Sequence, residues 1–155
     1  MIKKWIACLM LIICSILYDY RHPIQKEQKT ISRAYVILEG EFLKTGKYEF
    51  DRELTVKELV DIVGVSKQAS LSSLNMEYIV KDESSLYLPK KKKDMISLNH
   101  ASKTELMTLK GVGEKTALKI IEYRRVQPFE CLEDIQNISG IGEKTYKKFR
   151  DDLCL

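Results

Sequence analysis

The sequence predicts an α+β chain in three parts: an N-terminal apolar anchor helix, a small mixed domain, and an all-α carboxy-terminal unit built as a tandem repeat. Three observations predict it. An apolar run from Trp5 to Tyr18 follows Lys3 and Lys4. Short β-branched and aromatic runs flank a single amphipathic stretch between residues 33 and 89. Two glycine hairpins, Leu109 to Thr116 and Ile138 to Thr145, repeat at an offset of 29 residues. That register extends outward and pairs Glu105 with Asp134, Leu106 with Ile135, Lys119 with Lys148 and Ile120 with Phe149, so the repeating unit is a supersecondary element.

A chain of 155 residues, less an apolar terminus and some linker, holds one ordinary domain or two small ones, and the patterning favours two. Its formal charge of +4 is unevenly spread. Residues 90–155 carry 14 basic and 10 acidic side chains, whereas residues 41–89 carry 6 and 9, so the positive excess lies partly in the half with the hairpins. Cys8 and Cys14 lie in the apolar segment, Cys131 and Cys154 near the end. No CxxC or Cys/His spacing suggests zinc, and no metal or cofactor is expected.

Residues 1–20 read as a membrane anchor. Trp5 to Tyr18 is 14 residues, short against the roughly 17 to 25 of a spanning helix. Aromatic ends at Trp5, Tyr18 and Tyr20 and snorkelling lysines extend its reach. A cleavable signal needs small residues before the cut, which Leu17-Tyr18-Asp19-Tyr20 lacks, and a lipoprotein site at Cys14 is opposed by the large Ile13. An uncleaved anchor is therefore expected, with the lysines cytoplasmic and the rest exported. Residues 21–32, polar and aperiodic, form a tether.

Residues 33–89 begin with the strand-forming run Ala34 to Leu38, followed by Glu39-Gly40 and a second short strand at Gly46 to Phe50, predicting a hairpin. Thr55 and Glu58 have capping-box spacing, and Val56, Leu59, Val60 and Val63 share one face of a helix that Gly64 ends. Tyr78-Ile79-Val80 and Leu86-Tyr87-Leu88 flank a polar turn at Asp82 to Ser85, predicting a second hairpin. This stretch resembles the soluble-ligand-binding β-grasp module. Val36 to Gly40 stands at its opening strand and Gly46-Lys47-Tyr48 at its Pro-Gly-x-Tyr, although Thr45 replaces the proline. The resemblance implies a module that binds a ligand or another protein.

Lys90 to Lys93, within a linker of residues 90–95, reads as a solvated run that raises the positive potential nearby. Beyond it, Ser102 and Glu105 have capping-box spacing for a helix through Leu106 and Leu109. After Gly111-Val112-Gly113 a second helix buries Ala117, Ile120 and Ile121, and Gln127-Pro128 ends it. Leu132, Ile135 and Ile138 then line a short third helix, and Tyr146, Phe149 and Leu153 a fourth. Four short helices are thus expected around one core.

The hairpins carry the chemistry. In each, the first glycine can take a left-handed conformation that ends one helix, and the second removes a Cβ that would hold a partner off the backbone. Free N–H groups and the positive end of the following helix favour a phosphate there. Lys115 and Thr116, and in the repeat Lys144 and Thr145, add a charge and a hydroxyl. Lys119 and Lys148 lie one turn further on, and Val112 and Ile141 pack the turn from inside. A single Gly-x-Gly is weak evidence. Two copies, each with Glu-Lys-Thr in register, predict binding to phosphate backbone. The expected contact set is Gly111, Val112, Gly113, Lys115, Thr116, Lys119, Gly140, Ile141, Gly142, Lys144, Thr145 and Lys148. Two hairpins related by a pseudo-twofold suit the two strands of a duplex, and such contacts carry no base information.

On these residues, 96–155 resembles the tandem helix-hairpin-helix DNA-binding domain. The order of anchor, β-grasp module and tandem hairpins resembles the ComEA family of competence proteins. The resemblance implies a single-pass membrane protein with its bulk outside the cell. It further implies a receptor for double-stranded DNA in natural transformation, partnered by DNA-uptake channel proteins. Cys131 departs from the pattern, standing where a serine would cap the third helix better. Catalysis is not expected: His22 and His100 have no carboxylate cluster beside them. The rival is an exported surface binding or assembly protein that acts, or self-associates, through the β-grasp module. Cys131 and Cys154 fit either a disulfide or free thiols.

Overall fold

The computed structural model describes residues 33–155 together with Met10, Tyr18 and Arg21. The chain divides into two units, Met1–Ser32 and Arg33–Leu155. The expected anchor (1–20) and tether (21–32) therefore lie, apart from those three positions, outside the described residues. Among the described residues no helix is long and apolar enough to cross a membrane.

The second unit opens with strand β1 (Ala34–Gly40) and strand β2 (Gly46–Phe50), paired antiparallel as the sequence predicts, with Val36 opposite Tyr48. Helix α1 (Val56–Val63) follows. Its capping box is present: Thr55 Oγ1 accepts from Glu58 N at 3.3 Å, and Glu58 Oε2 accepts from Thr55 N at 3.0 Å. Val56, Leu59 and Val63 are buried beneath it, as the periodicity requires.

The predicted second hairpin does not form. Strand β3 (Ser84–Leu88) pairs parallel with β1, placing Leu86 beside Leu38, so the sheet order is β2-β1-β3. Tyr78 to Val80 is no strand. Its backbone instead bonds the chain entering α1, with Val80 N donating to Leu54 O at 2.8 Å and Val56 N to Tyr78 O at 2.9 Å. Ile79 is half-exposed while Tyr78 and Val80 are buried. The alternation that suggested a strand is real, but the partner is a loop.

The carboxy-terminal part begins with the two-residue strand β4 (Ile96–Ser97). Helix α2 (Lys103–Leu106) and the long helix α3 (Glu114–Val126) follow. A 3-10 helix (Leu132–Asn137) stands where the third helix was expected, and helix α4 (Glu143–Tyr146) opens the fourth. That fourth helix is shorter than predicted. It gives way to a 3-10 turn (Arg150–Asp152) and to strand β5 (Leu153–Cys154), which pairs parallel with β4. Leu153 is fully buried, as its apolar position foretold, but by strand pairing and not on a helix face. The core is the expected one: Leu106, Leu109, Ala117, Ile120, Leu132, Ile135, Ile138, Tyr146 and Phe149 are all buried together.

Polar contacts join the sheet to this helical core. Tyr87 N donates to Glu133 Oε1 at 2.7 Å, and Tyr146 Oη donates to the same oxygen at 3.2 Å. Arg150 donates to Glu39 Oε2 at 2.6 Å and lies 3.9 Å over the Tyr87 ring, whose hydroxyl bonds Asp151. Ser73, in the serine-rich stretch, donates to Leu153 O at 3.0 Å. Cys131 and Cys154 are free thiols, Cys131 buried among the sheet-side core. Burial pushes the Cys131 thiol above the usual range, with the neighbouring Glu133 carboxylate adding to the effect.

Burial likewise raises the Glu133 carboxyl from about 4.5 to about 7, against the opposing hydrogen bonds it accepts. Across that window the folded protein holds a proton that the unfolded chain has released, so Glu133 withdraws stability as pH rises. The thermal midpoint is expected to be higher near pH 5 than near pH 8. Glu133→Gln should flatten that fall; an undiminished fall in the variant would assign it to other groups.

Candidate nucleic-acid interface

The two hairpins have the same backbone. Gly111 and Gly140 have φ of 91° and 103°, in the left-handed region that favours glycine. The turns close with equivalent bonds, Val112 N to Leu109 O at 3.0 Å and Ile141 N to Ile138 O at 2.9 Å. The next helix starts with equivalent bonds too, Ala117 N to Gly113 O and Tyr146 N to Gly142 O, both 2.9 Å. Upstream, Ser102 N donates to Glu105 Oε2 at 2.7 Å, and its counterpart Cys131 N to Asp134 Oδ2 at 3.1 Å. The third element thus starts at the predicted place, with Asp134 supplying the return bond of the capping box. Burial matches residue by residue from Val112 to Ile120 and from Ile141 to Phe149.

Of the expected contact residues, Val112 and Ile141 are buried, side chain and backbone alike, and wedge each turn from inside. Gly111, Gly113, Lys115, Lys119, Gly140, Gly142, Lys144 and Lys148 are exposed, and Thr116 and Thr145 are half-buried. The N–H groups of Gly113, Glu114 and Lys115, and of Gly142, Glu143 and Lys144, have no acceptor among the described residues. Each hairpin therefore presents at least three consecutive free donors. The side chains of Lys115, Lys144 and Lys148 have no hydrogen-bond or ion-pair partner among the described residues. Lys119 differs: its Nζ donates to the Ser139 carbonyl at 2.8 Å.

Gly113 and Gly142 are the telling positions. Both are helix N-caps with φ −91° and ψ 178°, extended backbone that any residue adopts. A Cβ built on either meets nothing within 4 Å. The fold does not need glycine there, and a serine would cap the helix better. What glycine provides is open backbone on the outer side, since a serine Oγ would occupy the donors that now point outward.

Sequence reasoning missed how the hairpin glutamates are disposed. Glu114 and Glu143 stand among the free donors, where a carboxylate would repel an anion. Each is paired away, Glu114 with Lys103 at 2.8 Å and Glu143 with Lys147 at 2.6 Å, and these lysines hold both carboxyls below their ordinary range. The pairs are exposed, so their role is charge placement and not stability. The second is a legible i,i+4 pair; the first crosses from α2 to α3 and needs the fold. His100 is occupied locally, its backbone N–H donating to Ser97 Oγ at 3.1 Å.

Comparison with known proteins agrees with this geometry. The helix-hairpin-helix motif family matches residues 91–154. ComE operon protein 1 of Bacillus subtilis (strain 168) is 28% identical over 76% of this chain and 68% of its own length. The human endonuclease/exonuclease/phosphatase family domain-containing protein 1 is 33% identical over 63 residues of the helix-hairpin region. This chain covers 11% of that protein's length. A similar short match is to kinesin-like protein KIN-10C of Arabidopsis thaliana, 46% identical over 47 residues and 7% of its length. Residues 91–154 are a helix-hairpin-helix domain. The Bacillus relative extends the likeness over most of the chain, which in this respect resembles the ComEA family along most of its length.

Two pairs of substitutions separate the glycine roles. Gly111→Ala and Gly140→Ala, at positive φ, should each cost about 1 kcal/mol in urea unfolding. Gly113→Ser and Gly142→Ser should leave stability unchanged or raise it by a few tenths of a kcal/mol, roughly the N-cap difference. Equal destabilisation by all four would show that the second glycines serve the fold as well.

Proposed function

We propose that the protein binds double-stranded DNA without regard to sequence and serves as a DNA receptor for uptake in natural transformation. The observation that carries the binding is the pair of free-donor hairpins whose second glycines the fold does not require. Six outward amides offer hydrogen bonds to phosphate oxygens, and Lys115, Lys144 and Lys148 add positive charge beside them. Helix α3, 13 residues long, contributes its positive end at the first hairpin. The second hairpin, opening a helix of one turn, relies on its amides and lysines. Backbone and lysine contacts to phosphate position a duplex and read no bases.

The family likeness supports a role in competence. In this reading residues 1–20 anchor the chain in the cell membrane as a single pass, the remainder lies outside the cell, and bound DNA passes to uptake-channel proteins. Residues 33–89 act as a β-grasp-like module that binds a ligand, a channel component or a second copy of the chain. The protein works as a binder and not as an enzyme, since its likeness to the nuclease-named relatives is confined to the helix-hairpin part.

The fragment 33–155, one compact unit, should shift duplexes of unrelated sequence equally in a gel. Its affinity should fall with salt at a slope of roughly −0.9 per phosphate neutralised. Lys115→Glu with Lys144→Glu should abolish most of the binding, and Gly113→Ser with Gly142→Ser should weaken it without loss of stability. Parental binding by the lysine double variant would reduce the hairpins to a purely structural role.

A further inference from the structure

The two repeats match in backbone and burial, yet they are not equally supported. The first hairpin is followed by the 13-residue α3. The second hangs between a 3-10 helix, whose hydrogen bonds are poorer, and the four-residue α4. A one-turn helix has little cooperative strength of its own. From the neighbouring repeat, Lys119 of α3 reaches the carbonyl of Ser139, the residue just ahead of the left-handed Gly140, at 2.8 Å. The equivalent bond by symmetry, from Lys148 to the Lys110 carbonyl, is absent among the described residues. The symmetry breaks at the point where one hairpin lacks a supporting helix.

We infer that Lys119 is a positioning residue: its bond to the Ser139 carbonyl braces the second hairpin against α3, so that both hairpins face one duplex in a fixed relation. This rests on the DNA-binding reading for its purpose but not for the brace itself. A lysine on a phosphate and a lysine on a carbonyl have different signatures. The first releases counterions on binding DNA; the second does so no more than an apolar replacement would. Lys119, although basic, exposed and aligned with Lys148, should therefore contribute to affinity without contributing to the salt dependence.

The test uses Lys119→Met, Lys119→Arg and Lys148→Met in the fragment 33–155, with two measurements. The first is amide hydrogen exchange in the free protein, read at Ile141 N–H, which closes the second turn, with Val112 N–H of the first as the internal control. Lys119→Met should speed exchange at Ile141 about fivefold, the factor expected for one lost hydrogen bond, and leave Val112 unchanged. Lys119→Arg, which keeps a donor, should stay near the parent. The second is duplex affinity against salt. Lys119→Met should bind about fivefold more weakly with the parental slope, whereas Lys148→Met should lose about 0.9 from the slope. A slope reduced by about 0.9 in Lys119→Met makes Lys119 a phosphate contact and overturns the inference. Unchanged exchange at Ile141 overturns it too, as does faster exchange with undiminished affinity. A parent that binds no duplex would overturn the DNA reading, while the exchange result would still decide the brace.

Discussion

The domain depends on a turn that reverses the chain in three residues. A left-handed glycine, Gly111 or Gly140, turns the chain a few residues after one helical segment has ended. The residue after it, Val112 or Ile141, closes a bond to the carbonyl three residues back and drops its side chain into the core. The glycine after that starts the next helix with its amides outward. Burial of Val112 and Ile141 fixes the turn from inside, and this fixity lets the outer surface consist of backbone donors without a side chain to order them. An anion binding such a surface finds its donors already in place, so little conformational entropy is lost on contact.

Charge follows from this geometry. The acidic residue at the head of each helix suits the helix dipole but opposes an external anion. The protein keeps Glu114 and Glu143 and turns each toward a lysine, by a different route in each repeat. The lysine side chains without internal partners, those of Lys115, Lys144 and Lys148, remain as net charge beside the donors. A modest formal charge of +4 over the whole chain is thus compatible with a concentrated positive surface.

What was legible in the sequence was local. The hairpins, the capping boxes at Thr55 and Ser102 and the end of α3 at Gln127 all depend on residues within a few positions of one another, and all are where the residues foretold. Non-local choices were not legible. Tyr78 to Val80 alternates like a strand, but its partner is the chain before α1, while β3 crosses to pair parallel with β1. Nothing within ten residues of Leu86 encodes that pairing. Leu153 reads as the next position of a helical stripe, but β4 captures it as a strand. The junction built on Glu133, Tyr87, Tyr146 and Arg150 draws on residues up to 111 positions apart and left no periodic trace. At the site itself the equivalent geometry of the two hairpins was readable from the repeat, whereas the Lys103 to Glu114 pair and the bond from Lys119 to Ser139 required the packed helices.

The central claim, that both hairpins meet one duplex through their backbone, is tested most directly by following the amide resonances of the 33–155 fragment as a short duplex is added. The account predicts that Gly113, Glu114 and Lys115 shift together with Gly142, Glu143 and Lys144, with a common midpoint, while the sheet residues Ala34 to Phe50 stay in place. Shifts confined to one hairpin, or centred on the sheet, would contradict it.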